Sequence, residues 1–407
     1  MDNTRIAERE LTADQAQQRI DAELFRLGIA STTRTLGRNV VCVQAILRDS
    51  HGRQARGAGK GYAEHARLGA LYETLEHYWS DDLRPADAHY QTGRYFSDTS
   101  LFADDSVLRL VAGQQNRGIA CRTYTCPAQT VEFSYPLALT SPAYIQQRFT
   151  RDTTNYRALQ RYASNSGTAI GASYYEAVLH AANECIERDA LSLFLLNHFY
   201  YQNHLPLRRV ARLDQSDSLG RSWADAEQEI GGSIVLLDIS NEFKARTFLA
   251  FSSAPGALPR VFGTGCSLDA RHAAWRALSE LVQLHLAATQ TEYRKALGNA
   301  QRHLVPFPRL LRCVRFDPHA LLHVCPHREV TLRDPVEQAS LAEQVDYLLR
   351  DLHNHGRTPG VCILKQTELG TTLANVVIPG LERFFVVSSG NVVIPQVRGR
   401  RLEAHRR

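Results

Sequence analysis

The stretch GTAIGASYYEAVLHAANECIERDAL, Gly167 to Leu191, decides how this chain is read. Glycines open it, and Val178, Ala181, Ala182, Cys185, Ile186 and then Leu193 recur at helical spacing, which predicts a glycine-marked turn followed by an amphipathic helix. Glu184 and Glu187 stand at the margin of that apolar surface, three residues apart and so on one helix face. Two like charges in that position repel each other unless a cation lies between them.

Working outward, the same unit occurs twice more. GAGKGYAEHARLGALYETLEHYW, Gly57 to Trp79, pairs Glu73 with Glu76; GTGCSLDARHAAWRALSELVQLHL, from Gly263, pairs Glu280 with Gln283. The first key Glu follows a glycine by 14 residues in one copy (Gly59 to Glu73), 13 in the central copy (Gly171 to Glu184) and 15 in the last (Gly265 to Glu280). One such helix with solvated glutamates would be ordinary. Three of them at matched spacing predict acids facing a common cleft. Carboxylate and amide oxygens are what Mg²⁺ accepts, and Mg²⁺ usually arrives already bound to phosphate oxygens. A nucleotide site is therefore expected.

The central unit with its approach, SNSGTAIGASYYEAVLHAANECIERDAL from Ser164, resembles the central signature of the YcaO family, ATP-dependent enzymes that activate backbone amides of ribosomally made peptides. Gly59-Lys60-Gly61 with Glu73 and Glu76 resembles that family's amino-terminal signature, and GTG…ALSELVQ its third. VVIPGLERF (Val376 to Phe384) and Gly399-Arg400-Arg401 are similar to its carboxy-terminal region, so the likeness runs from about Gly37 onward. The resemblance implies an α+β, YcaO-like fold in which three strand and acidic-helix units pack around one cleft for ATP and Mg²⁺. It implies Glu73, Glu76, Glu176, Glu184 and Glu187 as metal-facing acids. Lys60, Arg188, Glu280 and Gln283 would contact or orient nucleotide, with Ser164 and Asn165 in the adjoining loop. Four positions depart from the family pattern: Ala70 stands for Ser, His77 for Arg, Ala172 for Asn and His285 for Arg.

The implied reaction is phosphorylation of a precursor peptide's backbone amide, giving thiazoline or oxazoline rings by cyclodehydration, as in bacteriocin and thiazole/oxazole-modified microcin biosynthesis. Thioamide formation with a TfuA-type partner is the alternative, and a nucleotide-binding subunit without catalysis is the third reading. The resemblance also implies a peptide substrate, a separate leader-binding or TfuA-type partner protein, and a homodimer or hetero-complex. Azoline-forming members end in a proline-rich tail, whereas the last proline here is Pro395; the basic end from Arg398 is expected to fray. The expected organisation is a helical segment at 1–36, the YcaO-like domain at 37–399 and a basic tail at 400–407.

The rest of the sequence excludes alternatives. Gln54 occupies the place of the first Walker glycine and Gly61 that of its Ser or Thr, so Lys60 is not in a P-loop, and Gly57, Gly59 and Gly61 lack dinucleotide spacing. No run reaches the ~20 apolar residues of a membrane helix, and the acids of MDNTRIAEREL do not suit a signal peptide, so the cytoplasm is expected. Eight cysteines without a CxxC pair suit a reducing compartment. Cys313, His319, His323, Cys325 and His327 crowd soft ligands into a short stretch, but without the spacing of a zinc finger. The formal charge of +5 is carried almost wholly by arginine, lysine occurring only at 60, 244, 295 and 365, and no aromatics interleave the basic end. Nucleic-acid binding is not expected. A helix is predicted over Thr12 to Gly28, with strands at Val40 to Ile46, Cys121 to Tyr124, Val131 to Ser134, Ser233 to Ile239, Thr247 to Ser252, Thr358 to Leu364 and Ala374 to Ile378.

Overall fold

In all three units the segment read as a turn is a strand, and its key glycine stands against the helix that follows. A Cβ on Gly59 would lie 1.9 Å from the Ala66 carbonyl oxygen, one on Gly171 2.5 Å from the Ala177 nitrogen, and one on Gly265 2.3 Å from the Ala273 carbonyl oxygen. The glycines therefore let backbone pack on backbone, and an alanine-rich helix is what such an approach admits. The result is a set of acidic helices held close to their strands.

The computed structural model describes residues 7–127, 131–253, 261–332 and 339–406. The first helix, Ala13–Leu27, begins at a Thr12 capping box and ends at Gly28 in the left-handed conformation, as its sequence predicts. Strands β1 (Ala30–Leu36), β2 (Val41–Arg48) and β3 (Gln54–Gly61) form an antiparallel meander. The first acidic helix, Ala63–Ser80, follows. Short elements lead through β4 (His89–Gln91) to β5 (Ile119–Cys126), β6 (Val131–Pro136) and β7 (Thr168–Gly171). The second acidic helix, Tyr174–Leu195, starts where the Ser173 hydroxyl accepts from the Glu176 N–H. Then come β8 (Leu207–Val210), β9 (Ile234–Asp238), β10 (Arg246–Ser252) and β11 (Phe262–Ser267). The third acidic helix, Ala270–Ala288, is capped by Asp269, which accepts from the N–H groups of Arg271 and His272. Strands β12 (His327–Val330), β13 (Gly360–Gln366) and β14 (Thr372–Val377) complete the set.

These strands make three sheets: β1-β2-β3, β11-β10-β9-β8-β12, and β4-β5-β13-β14-β7 with β6 on β5. Every pairing is antiparallel except β12 with β8, which places the fold in the α+β class. The strands predicted at Ser233 to Ile239 and Thr247 to Ser252 are β9 and β10, which pair antiparallel with Phe248 opposite Asp238. The second acidic helix is central: Ala177, Val178, Ala181, Ala182 and Ile186 are buried in one core with Ala374 and Val376 of β14. Its far end, from Ala190, joins a second core.

One expectation fails. The carboxy-terminal segment does not fray: short helical turns at Val397–Arg400 and Arg401–Arg406 close on the body, and Arg398 holds Asp189 of the second acidic helix, Nε to Oδ1 at 2.8 Å and Nη2 to Oδ2 at 3.0 Å. Position 407 lies outside the described residues. The soft-ligand stretch is dispersed, in line with its lack of zinc-finger spacing. Cys313 belongs to one helix (Pro308–Arg315), His319 and His323 to the next (Pro318–Val324), and Cys325 instead faces Nδ1 of His198 at 3.7 Å and of His204 at 4.0 Å. Among the described residues no group of three His, Cys, Asp or Glu could hold a metal as it stands.

Candidate functional site

The three acidic helices open onto one cleft of about 900 Å³. Its walls include Lys60 from β3, Glu73 and Glu76 from the first helix, Glu176, Glu184, Glu187 and Arg188 from the second, Glu280 and Gln283 from the third, and Asn165 from the approach to β7. Of the residues expected at the site only Ser164 is not on the wall. Its hydroxyl instead meets Ser166, 2.8 Å to the Oγ and 3.1 Å to the N–H, and shapes the turn before β7.

Helical spacing places these side chains. On the second helix Glu176, His180, Glu184 and Arg188 succeed one another at four-residue steps, a single stripe facing the cleft, with Glu187 beside it. Strand backbone then fixes the carboxylates. Glu76 Oε2 accepts the Ile170 N–H of β7 at 3.0 Å, Glu73 Oε1 the Ala58 N–H of β3 at 3.4 Å, and Glu184 Oε2 the Gly167 N–H at 3.1 Å. Gln283 donates to the Ala58 carbonyl at 3.0 Å, tying the third helix to the first unit's strand.

Charge is unevenly distributed around the cleft. Arg188 reaches Glu184 at 3.3 Å and Glu187 at 3.4 Å, and Lys60 pairs with Glu280. Burial raises the Glu280 carboxyl, but Lys60 and Arg188 beside it outweigh that and hold it below its ordinary value. Thr264 of β11 donates to Glu187 at 2.6 Å. Among the described residues no ion pair reaches Glu73 or Glu76. Burial, reinforced by Glu184 and Glu73, pushes Glu76 well above the ordinary carboxylate range. Burial likewise raises Glu73 and Glu184, the latter against the pull of Arg188. Carboxylates gathered without a cation hold protons in its place, and oxygen donors from facing helices are the set a hard divalent ion takes. Two buried nitrogens beside them, Nε of Arg188 and Nε of Arg276, have no hydrogen-bond partner, as befits donors facing an anionic group. In donor chemistry the residues fit Mg²⁺ and a phosphate-bearing nucleotide, although the acids as they stand do not converge on one point.

The four departures have local consequences. Ala70 is fully buried under β3, where its backbone nitrogen would be 2.5 Å from a Cβ on Gly59. His77 binds the Arg56 carbonyl at 2.6 Å, Ala172 accepts from Arg19 at 3.1 Å through its carbonyl, and half-buried His285 is not on the cleft wall.

Several wall residues had no place in the sequence reading. Arg276 and His180 were legible in principle, since each lies four residues before a key Glu; they approach to 3.2 Å, and burial with Arg276 holds His180 neutral. Arg9 was not legible. It comes from the amino-terminal segment and carries its guanidinium to Glu176 at 2.6 Å.

The family model described as YcaO cyclodehydratase, ATP- and Mg²⁺-binding, matches residues 58–382. The chain is similar in structure to YcaO from Methanopyrus kandleri bound with AMPPCP and Mg²⁺, at a TM-score of 0.67 and 17% identity over 96% of this chain and 97% of that one. A heterocyclase in complex with substrate and cofactor aligns at 0.63 and 16% identity over 94% of this chain, which spans 55% of that longer one. The E. coli microcin synthetase McbBCD complex aligns at 0.55 and 12% identity, covering 87% and 88%. In sequence the chain is 31% identical over 133 residues to an uncharacterized protein in the tfuA 3′ region of Rhizobium leguminosarum bv. trifolii, a match covering 31% of each. With three quarters or more of its length matched by the family model, the chain belongs to the YcaO family of ATP- and Mg²⁺-binding proteins.

Proposed function

We propose that this chain activates backbone amides of a ribosomally made precursor peptide at the expense of ATP, and that the activated amide closes to an azoline ring by cyclodehydration. The observation that carries the reading is the partly buried trio Glu73, Glu76 and Glu184, gathered from two helices and reached, among the described residues, by the single ion pair of Arg188 with Glu184. Mg²⁺ would be held by these acids with Glu187, and Lys60, Arg188 and Gln283 would face the nucleotide, with Asn165 at the rim. An amide oxygen is a poor leaving group, and ATP supplies the phosphoryl group that turns it into a good one. In the ring-forming case a Cys, Ser or Thr side chain of the peptide adds to the preceding carbonyl, and the oxygen departs as phosphate. The chain's residues supply position and charge neutralisation, which is most of what phosphoryl transfer asks of a protein. Glu280, kept ionised by Lys60, keeps that lysine at the mouth of β3. The similarity to a heterocyclase and to a microcin synthetase supports azoline formation.

The match to a protein from a tfuA region favours a second reading, thioamide formation with a TfuA-type partner and an external sulfur donor. In both readings the substrate is a peptide and a separate partner protein presents it. Eight free cysteines and the absence, among the described residues, of any helix able to cross a membrane suit our assignment to the cytoplasm.

The test incubates the purified full-length chain with ATP, Mg²⁺, and any short Cys-, Ser- and Thr-rich peptide and leader-binding or TfuA-type protein that sequencing of its gene neighbourhood reveals. Mass spectrometry then reads loss of one water per ring for azolines or exchange of oxygen for sulfur for thioamides. ATP binding without either product would leave a nucleotide-binding subunit, and ATP binding indifferent to Mg²⁺ would overturn the site.

A further inference from the structure

The amino-terminal segment is built into the cleft at two consecutive residues. Glu8 has a φ of 61°, a left-handed conformation that non-glycine residues keep only where their surroundings hold them. The surroundings here are specific. Its carboxylate, 9% exposed, accepts from Asn183 Nδ2 at 3.1 Å and from the Ser267 hydroxyl, and its second oxygen lies 3.7 Å from His272 Nε2. Asn183 is on the second acidic helix, Ser267 ends β11 and His272 opens the third acidic helix, so one side chain from outside the three units joins two of them. The left-handed backbone then turns the next side chain into the cleft, where Arg9 Nη1 meets Glu176 Oε1 at 2.6 Å.

Glu176 thereby differs from Glu73 and Glu76. One of its oxygens is taken by Arg9 and the other is buried without a partner, whereas Glu73 and Glu76 have no ion pair among the described residues. On the reading of this cleft as a nucleotide site, we propose that Glu8 is a positioning residue: it clamps the amino-terminal segment across the second and third units so that Arg9 neutralises Glu176. Glu8 touches neither the cation's acids nor the nucleotide-facing residues; it acts through Arg9.

The test uses the full-length chain with Glu8→Ala, Glu8→Gln, Arg9→Ala and the double variant Glu8→Ala/Arg9→Ala. In protein without nucleotide, trypsin followed by mass spectrometry reads cleavage after Arg9. The clamp protects that bond in the wild type, and Glu8→Ala should expose it at least about tenfold faster. Glu8→Gln keeps an oxygen for Asn183 and Ser267 and should restore most of the protection. Calorimetry with Mg²⁺ and a non-hydrolysable ATP analogue should show about tenfold weaker binding in Glu8→Ala, the size of one lost charge-assisted contact. The same change in the Arg9→Ala background should add nothing, because Glu8 works through Arg9. Equal effects in both backgrounds, or wild-type proteolysis in Glu8→Ala, would overturn the clamp. If the wild type itself fails to bind the analogue, the nucleotide reading falls, and the proteolysis arm still decides the clamp.

Discussion

Arg398 meets the fully buried carboxylate of Asp189 through two nitrogens and reaches Glu242 with the second of them, at 2.6 Å. Burial raises the Asp189 carboxyl, and Arg398 is the cation that pulls against it. Removing one partner of a buried pair strands the other, at about 3–5 kcal/mol. Arg398→Ala should therefore lower unfolding stability by about that amount in urea. Truncation after Gly399 keeps the pair, and it should cost far less and leave ATP binding intact. A truncation as damaging as Arg398→Ala would place the anchor beyond Gly399.

Glu184→Gln and Glu187→Gln keep side-chain shape and a hydrogen-bonding oxygen but remove charge from the proposed cation site. Each should weaken Mg²⁺-dependent ATP binding by at least about tenfold, ~1.4 kcal/mol, with the thermal midpoint within a few degrees of wild type. Calorimetry giving wild-type affinity in both variants would falsify the assignment of these acids.

Lys60 and Glu280 are each other's counter-ion, with side chains 23% and 18% exposed. Lys60→Ala should raise the Michaelis constant for ATP about tenfold, as expected for one charge-assisted contact. It also frees Glu280 from the charge that holds its carboxyl low, so the variant's activity should acquire a new dependence on pH on the acid side. Michaelis constants measured from pH 5 to pH 9 read both effects, and unchanged kinetics would return Lys60 to a surface role.

Glu73, Glu76 and Glu184 all titrate above their unfolded value of 4.5 in the absence of a cation, chiefly through burial. A raised folded pKa means that their contribution to stability is complete below pH 4.5 and is lost as pH climbs through the folded values. Mg²⁺ takes the place of the protons, so the rise in melting temperature on adding Mg²⁺ should be larger at pH 8 than at pH 5.5. Glu76→Gln should flatten that difference. Thermal unfolding at the two pH values, with and without Mg²⁺, supplies the comparison, and a stabilisation independent of pH would count against metal at these acids.

The recurrent glycine, alanine-rich run and paired acid determined this much without any structure: three helices and the face on which each carries its paired acid or amide. That information is local. Glu73 and Glu76, or Glu184 and Glu187, share a face because 3.6 residues make a turn, whatever lies around them. Even the first helix, with its Thr12 box and Gly28 stop, was legible by this means. The Ser340 capping box with Glu343 that opens the helix Leu341–Asn354 is the same kind of local signal. Strand β1 carried almost none, since ASTTRTL is exposed at every residue but the last and has no alternation to read.

What only the tertiary structure decided is which charges find partners. Glycine spacing reads as a turn until the following helix is seen to fill the place of the missing Cβ. A basic terminus reads as frayed until Asp189, 209 residues away, is found buried beneath Arg398. Arg9 and Glu176 are 167 residues apart, and Lys60 and Glu280 are 220. No periodicity joins such residues. They meet because packing the hydrophobic cores brings their strands and helices onto one cleft, and in a partly dry cleft an acid without a partner must be given a cation, a hydrogen bond or a proton.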